Sequence, residues 1–277
     1  MRSIYALLPL ILLESAAVQG KGAAPDSADS RVFRLSETLT VREIDDHVYL
    51  VDHRFPWSAN ALLVRVSQRD FILVDTPWEN RATEQLVNWI NSRYGDMNLS
   101  VINTHFHRDN LGGNDYLLRH SIPVYGSDLT ASLLEASLQH PNPEAAGMLD
   151  RPEYREHARI LAKSELRPPD HIFPLDEGLL FEFDWERVQV YHPGPAHTRD
   201  NVVVYFHNSR ILFGGCMVKC LASRTLGYTG DADLESWPAS ASALLERFPE
   251  CGLVVPGHGS AGDRRLIEHT LELLRAQ

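Results

Sequence analysis

The chain has 277 residues, 44% of them hydrophobic, enough for a substantial buried core in one large domain or two small ones. Its formal net charge is −11, with no block of Lys and Arg, which argues against a surface that tracks nucleic-acid phosphates and against nucleic acid as a partner. Three cysteines, Cys216, Cys220 and Cys251, rule out a disulfide scaffold and leave at least one thiol over.

At the start, Arg2 precedes an apolar run from Ile4 to Leu13, followed by small residues at Ala16, Ala17 and Gly20. The run falls well short of the roughly 20 residues needed to span a bilayer. The pattern predicts a secretory signal peptide over residues 1–20, cleaved near Ala17 or Gly20, with the mature chain exported to the periplasm. No Cys follows the run to accept a lipid, so no stable membrane anchor is expected, and residues up to about Ser30 are expected to form a disordered lead-in.

Strands are predicted over 47–53, 61–67 and 71–77, then a helix from Arg81 to Tyr94 and a strand over 99–105. A short helix near Asp115–His120, a strand over 122–127 and a helix capped by Asp128 follow. Between His140 and Pro169 the pattern turns polar. "EYREHARILAKSELRPP" reads as helical up to its prolines, in either a solvated connecting helix or an inserted flap. Strands resume over 179–184, 187–192, 202–207 and 210–215, then a helix around 234–248, a strand over 252–258 and a helix from Asp263. This alternation indicates a layered α/β architecture. No linker interrupts it, so residues 31–277 are expected to form one domain.

Four strand-to-loop junctions carry the unusual residues: "THFHRDN" (104–110), "HPGPAHTRDN" (192–201), "LFGGCMVKC" (212–220) and "VVPGHGS" (254–260). Strand ends are where sites assemble in such folds, and these four offer His105, His107, Asp109, His197, Cys216 and His258. Imidazoles and a thiolate suit Zn²⁺ and a carboxylate adds a harder ligand, so six such groups can hold two zinc ions with open positions. On an extended strand, residues 105, 107 and 109 would point the same way, and the Gly112-Gly113 turn would let backbone come close to the metals. The other histidines, His53 among them, read as hydrogen-bonded surface groups. Asp75, at the end of "FILVDTP", reads either as a strand-end cap or as a residue that orients a metal-site loop.

"NTHFHRDNLGGN", "GPAHTRDNVVVYF", "LLFGGCMVK" and "LGYTGDAD" followed by "WP" resemble the metallo-β-lactamases. The likeness is to subclass B1, and within it to the São Paulo-type enzymes, over roughly residues 40–275. The resemblance implies a four-layer αββα sandwich with the site at one edge between its halves. It also implies His105, His107 and His197 on a first zinc, and Asp109, Cys216 and His258 on a second. Glyoxalase II, lactonases and related nucleases of the same superfamily carry HxHxDH, and an Asp in place of this Cys. Asn110 and Cys216 depart from that pattern.

The implied activity is opening of the β-lactam ring of penicillins, cephalosporins and carbapenems by zinc-bound hydroxide oriented by Asp109, giving antibiotic resistance. Lys219 would bind the substrate carboxylate, and the chain is expected to act as a monomer. Tyr228 stands where the family often has a substrate-binding Asn, and "HRFPWSAN" (53–60) corresponds to the family's mobile hairpin, with Phe55 and Trp57 as apolar contacts. A thioesterase or lactonase on the same fold is the alternative, and a zinc-binding protein without catalysis a third reading.

Overall fold

The computed structural model describes residues 31–277, so the predicted signal peptide and lead-in lie outside the described residues. Among the described residues thirteen strands run in chain order: β1 Val32–Arg34, β2 Leu39–Asp45, β3 Val48–Arg54, β4 Ser58–Arg65, β5 Asp70–Val74, β6 Asn98–Ile102, β7 Val124–Ser127, β8 His171–Phe173, β9 Leu179–Glu182, β10 Arg187–Tyr191, β11 Val203–Phe206, β12 Ile211–Gly215 and β13 Leu253–Pro256. The helices are α1 Asn80–Tyr94, α2 Arg108–Leu111, α3 Asn114–Arg119, α4 Asp128–Gln139, α5 Pro143–Gly147, α6 Arg155–Leu161, α7 Trp237–Arg247 and α8 Arg265–Arg275. β1 to β8 form one sheet in sequential order, and the other runs β13-β12-β11-β10-β9.

The period-two alternation of the strands builds the layers. In β3 and β4, Val48, Leu62 and Val64 face the second sheet and meet Val190, Val204, Phe206 and Phe213. Their neighbours Tyr49, Val51 and Leu63 face the other way, onto Leu86 and Ile90 of α1. β11 divides likewise: Val204 and Phe206 point between the sheets, while Val203 and Tyr205 pack with Trp237 and Leu244 of α7 and Ile267 and Leu271 of α8. Three apolar layers therefore separate helix, sheet, sheet and helix, which is the expected αββα sandwich.

Several local expectations need correction. β6 ends at Ile102, so His105 and His107 lie in a bend and Asp109 in the helical turn α2 rather than along a strand. The backbone turns because Asn110 N–H donates to the His107 carbonyl and Gly112 N–H to that of Arg108. Gly112 and Gly113 are packed against α1 and its approach: a Cβ at Gly112 would stand 2.0 Å from the Trp78 carbonyl oxygen, and one at Gly113 2.0 Å from Thr83 Oγ1. Ser127, not Asp128, caps α4, through its hydroxyl on Thr130 N–H. The helix expected up to the prolines stops at Leu161, and farther on Asn114 Nδ2 donates to the Arg167 carbonyl. The three cysteines are free thiols, so Cys220 and Cys251 do not pair.

Candidate metal centre

The site lies where strand ends of both sheets meet, and short hydrogen bonds fix their mutual position. Asn60 on β4 reaches across, its N–H donating to the Gly257 carbonyl and its Nδ2 to the carbonyls of Pro256 and Gly259, each at 2.8 Å. Gly257 N–H donates to the Gly215 carbonyl at 2.7 Å, which sets Cys216 beside His258. Only glycine fits at 257, since a Cβ there would stand 2.5 Å from Cys216 Sγ. Val202 N–H donates to the Thr104 carbonyl and so ties the His197 loop to the 104–110 bend.

All six ligands expected from sequence converge. Their ligand atoms form three overlapping triples, each within 4.8 Å: His105, His107 and Asp109; His105, His197 and Cys216; and Asp109, Cys216 and His258. In the histidine cluster, His197 Nε2 is 3.2 Å from His107 Nδ1. His107 Nε2 faces Asp231 Oδ2 at 3.0 Å, so the carboxylate accepts the hydrogen bond of the Nε2–H tautomer, which leaves the Nδ1 lone pair for a metal. Burial pushes His105 and His197 well below the usual imidazole range, which keeps both rings neutral and able to ligate.

The second cluster is charged. His258 Nε2 is 3.3 Å from Cys216 Sγ and 3.2 Å from Asp109 Oδ2, while His258 Nδ1 donates to the Ser58 carbonyl at 2.7 Å. Burial works to raise the Asp109 carboxyl, but the hydrogen bond and charge of His258, with help from His105 and His107, hold it well below the usual carboxylate range. Burial likewise works to lower His258, and its contacts with Cys216 and Asp109 overcome it and hold the ring protonated. The Cys216 thiol is raised by burial, with His258 opposing. A carboxylate beside a thiol and an imidazole that each carry an exchangeable proton is a donor set that fits a divalent cation, which would displace those protons.

Lys219 lies beside this centre, buried, with Nζ 5.3 Å from the Trp237 ring centre. Burial lowers its ammonium, offset by Cys216 and Asp109. Asp75 adopts φ 60° after β5 and accepts from Thr104 N–H and Thr104 Oγ1, both at 2.8 Å. Thr104 Oγ1 in turn meets His105 Nδ1 at 3.1 Å, so Asp75 steadies the loop that carries His105. Phe55 and Trp57 pack with Trp78, Leu149 and Leu161, which makes the 140–169 segment a wall docked on the 53–60 turn. His53 proves buried rather than superficial: its Nδ1 accepts from Trp78 N–H at 3.0 Å, and burial lowers it to about 4.

Asp231 was not anticipated as a partner of His107. Its only signal was its presence in the "LGYTGDAD" motif, since the 124-residue separation hides the contact.

The comparisons with known proteins agree with this geometry. The family model described as "Metallo-beta-lactamase superfamily" matches residues 54–258. A "Metallo-beta-lactamase type 2" from Pseudomonas aeruginosa is 35% identical over 210 residues, 76% of this chain and 72% of that protein. One from Bacillus cereus is 29% identical over 242 residues, 86% of this chain and 83% of that protein. Among solved structures, a metallo-beta-lactamase from Pontibacter korlensis has a TM-score of 0.67 at 32% identity, covering 90% of this chain and 100% of that one. The DIM-1 metallo-beta-lactamase has a TM-score of 0.69 at 32% identity, covering 89% and 99%. With four packed layers, a convergent donor set and these relatives, the chain belongs to the metallo-beta-lactamase superfamily, among the type 2 metallo-beta-lactamases.

Proposed function

We propose that the protein hydrolyses the amide of β-lactam rings with two zinc ions, the first held by His105, His107 and His197 and the second by Asp109, Cys216 and His258. The observation that carries this reading is the convergence of six donors in overlapping triples within 4.8 Å. Bound zinc would supply Lewis acidity and lower the pKa of water toward about 7. The chain's own residues supply the rest. Asp109, ionised at neutral pH, accepts a hydrogen bond from the attacking water and orients it. Lys219 binds the substrate carboxylate from beside Cys216, and its burial keeps competing water away from the ammonium. The buried Asp75 carboxyl holds Thr104, and with it His105, in place.

Penicillins, cephalosporins and carbapenems are the substrates proposed, with antibiotic resistance as the outcome for the cell. The chain is read as one domain over residues 31–277, exported to the periplasm and acting as a monomer. Among the described residues no helix is long and apolar enough to cross a membrane. A thioesterase or lactonase reading finds little support, because Asn110 Nδ2 donates to His105 Nε2 at 2.9 Å and to Asp109 Oδ1 at 3.2 Å where those enzymes have a further His.

The test is hydrolysis of a carbapenem by the purified mature chain, followed by loss of the ultraviolet absorbance of the lactam, with and without a chelator. Turnover that the chelator abolishes and zinc restores is expected. A zinc-loaded protein that opens none of the three lactam classes would overturn the reading.

A further inference from the structure

Two features singled out in the sequence have no part in this chemistry: Tyr228, which departs from the family's Asn, and the 140–169 segment. The structure joins them. Asn142, at the start of that segment, donates from Nδ2 to Tyr228 Oη at 2.8 Å and to Asp231 Oδ1 at 3.3 Å. Tyr228 Oη donates to Asp231 Oδ2 at 2.9 Å, and the same oxygen faces His107 Nε2 at 3.0 Å. We propose that Asn142 and Tyr228 are positioning residues for His107, acting through Asp231, so that docking of the 140–169 segment and metal binding at the histidine cluster strengthen each other. This rests on the reading of His107 as a metal ligand.

The argument is one of degrees of freedom. A carboxylate with one partner can rotate, whereas Asp231 has both oxygens occupied, Oδ1 by Asn142 and Oδ2 by Tyr228 and His107. Its plane is thereby fixed, and with it the ring that must present Nδ1 to the metal. The Tyr228 ring also lies 5.7 Å from that of His107, which limits how the imidazole can tilt. On the other side, the segment is anchored by Leu149 and Leu161 in the apolar cluster with Phe55, Trp57 and Trp78, and by the edge-on contact of Tyr154 with Trp57 at 5.7 Å. Asn142 is therefore the polar end of a docked element. Linkage makes the effect reciprocal: whatever factor the docked segment adds to metal affinity, the metal adds to docking.

The first arm uses the full mature chain without substitution. Amide hydrogen exchange over residues 143–161 is measured with and without zinc, and zinc is expected to slow it by about 3- to 10-fold, a fraction of the 10–100-fold typical of direct partners of metal ligands. The second arm titrates Co²⁺ into Tyr228→Phe, Asn142→Ala and the double variant. The thiolate-to-cobalt charge-transfer band reports the Cys216 cluster, and the visible d–d bands report the histidine cluster. Each single variant is expected to weaken the histidine cluster about 3- to 10-fold and leave the thiolate band in place, with the double variant less than additive. Titrations that superimpose on the unaltered protein, or exchange indifferent to zinc, would overturn the proposal. His107→Ala separates this failure from that of the underlying reading. If it weakens metal binding while Tyr228→Phe does not, only the coupling falls; if it leaves metal binding intact, the ligand assignment falls and the coupling with it.

Discussion

The histidine cluster and the cluster of Asp109, Cys216 and His258 lie side by side, yet different forces hold them. In the first, burial keeps His105 and His197 uncharged, and His107 is oriented from outside by Asp231. In the second, the Asp109 carboxylate and the protonated His258 are ionised against each other, and burial holds Cys216 as the thiol. The first position is thus prepared by geometry and the second by charge. A cation entering the first displaces little, whereas one entering the second must expel a proton.

The sharpest way to break this contrast is Cys216→Ser, which removes the softest donor of the second cluster. A loss of more than about 100-fold in kcat/KM is expected, beyond the 10–100-fold typical of changes outside the ligand shell. Metal should still titrate into the histidines. Asp231→Ala tests the other side: metal affinity of the histidine cluster should fall about 10–100-fold, with the thiolate-to-cobalt band unchanged. Lys219→Ala touches neither ligand set. Loss of one charge-assisted bond, about 1.5–3 kcal/mol, predicts KM raised roughly 10-fold or more and kcat less affected in steady-state kinetics.

The smallest effect on chemistry, read in stability alone, is at His53, which belongs to neither cluster. Its folded value near 4 lies below the ordinary 6.5, so the unfolded chain binds the extra proton between these values. The contribution is complete above about pH 6.5 and is lost as pH falls toward 4, up to about 3 kcal/mol. Denaturant unfolding of His53→Gln should therefore show a flatter acid limb than the unaltered chain.

Sequence reasoning went furthest where the signal is local. Alternation in "HVYLVDH" and "VVVYFH" places Val48 and Val204 between the sheets, and the four strand-end motifs contain all six donors. It was less reliable where hydrogen bonding overrides the pattern. HxHxD has the spacing of a strand, but the Asn110 and Gly112 N–H bonds turn it into a bend and a helical turn, and the side chains converge by that route instead. It was blind to pairings across the chain. Nothing near Asn142 announces Tyr228, 86 residues away, and His53 looked like a surface residue because the covering Trp78 lies 25 residues on.

The donors span His105 to His258, and the last of them sits just past β13, which pairs with β12 only after α7 has been laid down. Five of the six donors therefore precede β13 in the chain, and the sixth joins them only when this strand is paired, so the complete centre closes with the last strand of the second sheet. Metal capture is in this sense a late checkpoint. A donor set complete through His258 certifies that the whole sandwich has closed, and a chain that ends before Leu253 has no means of passing that inspection.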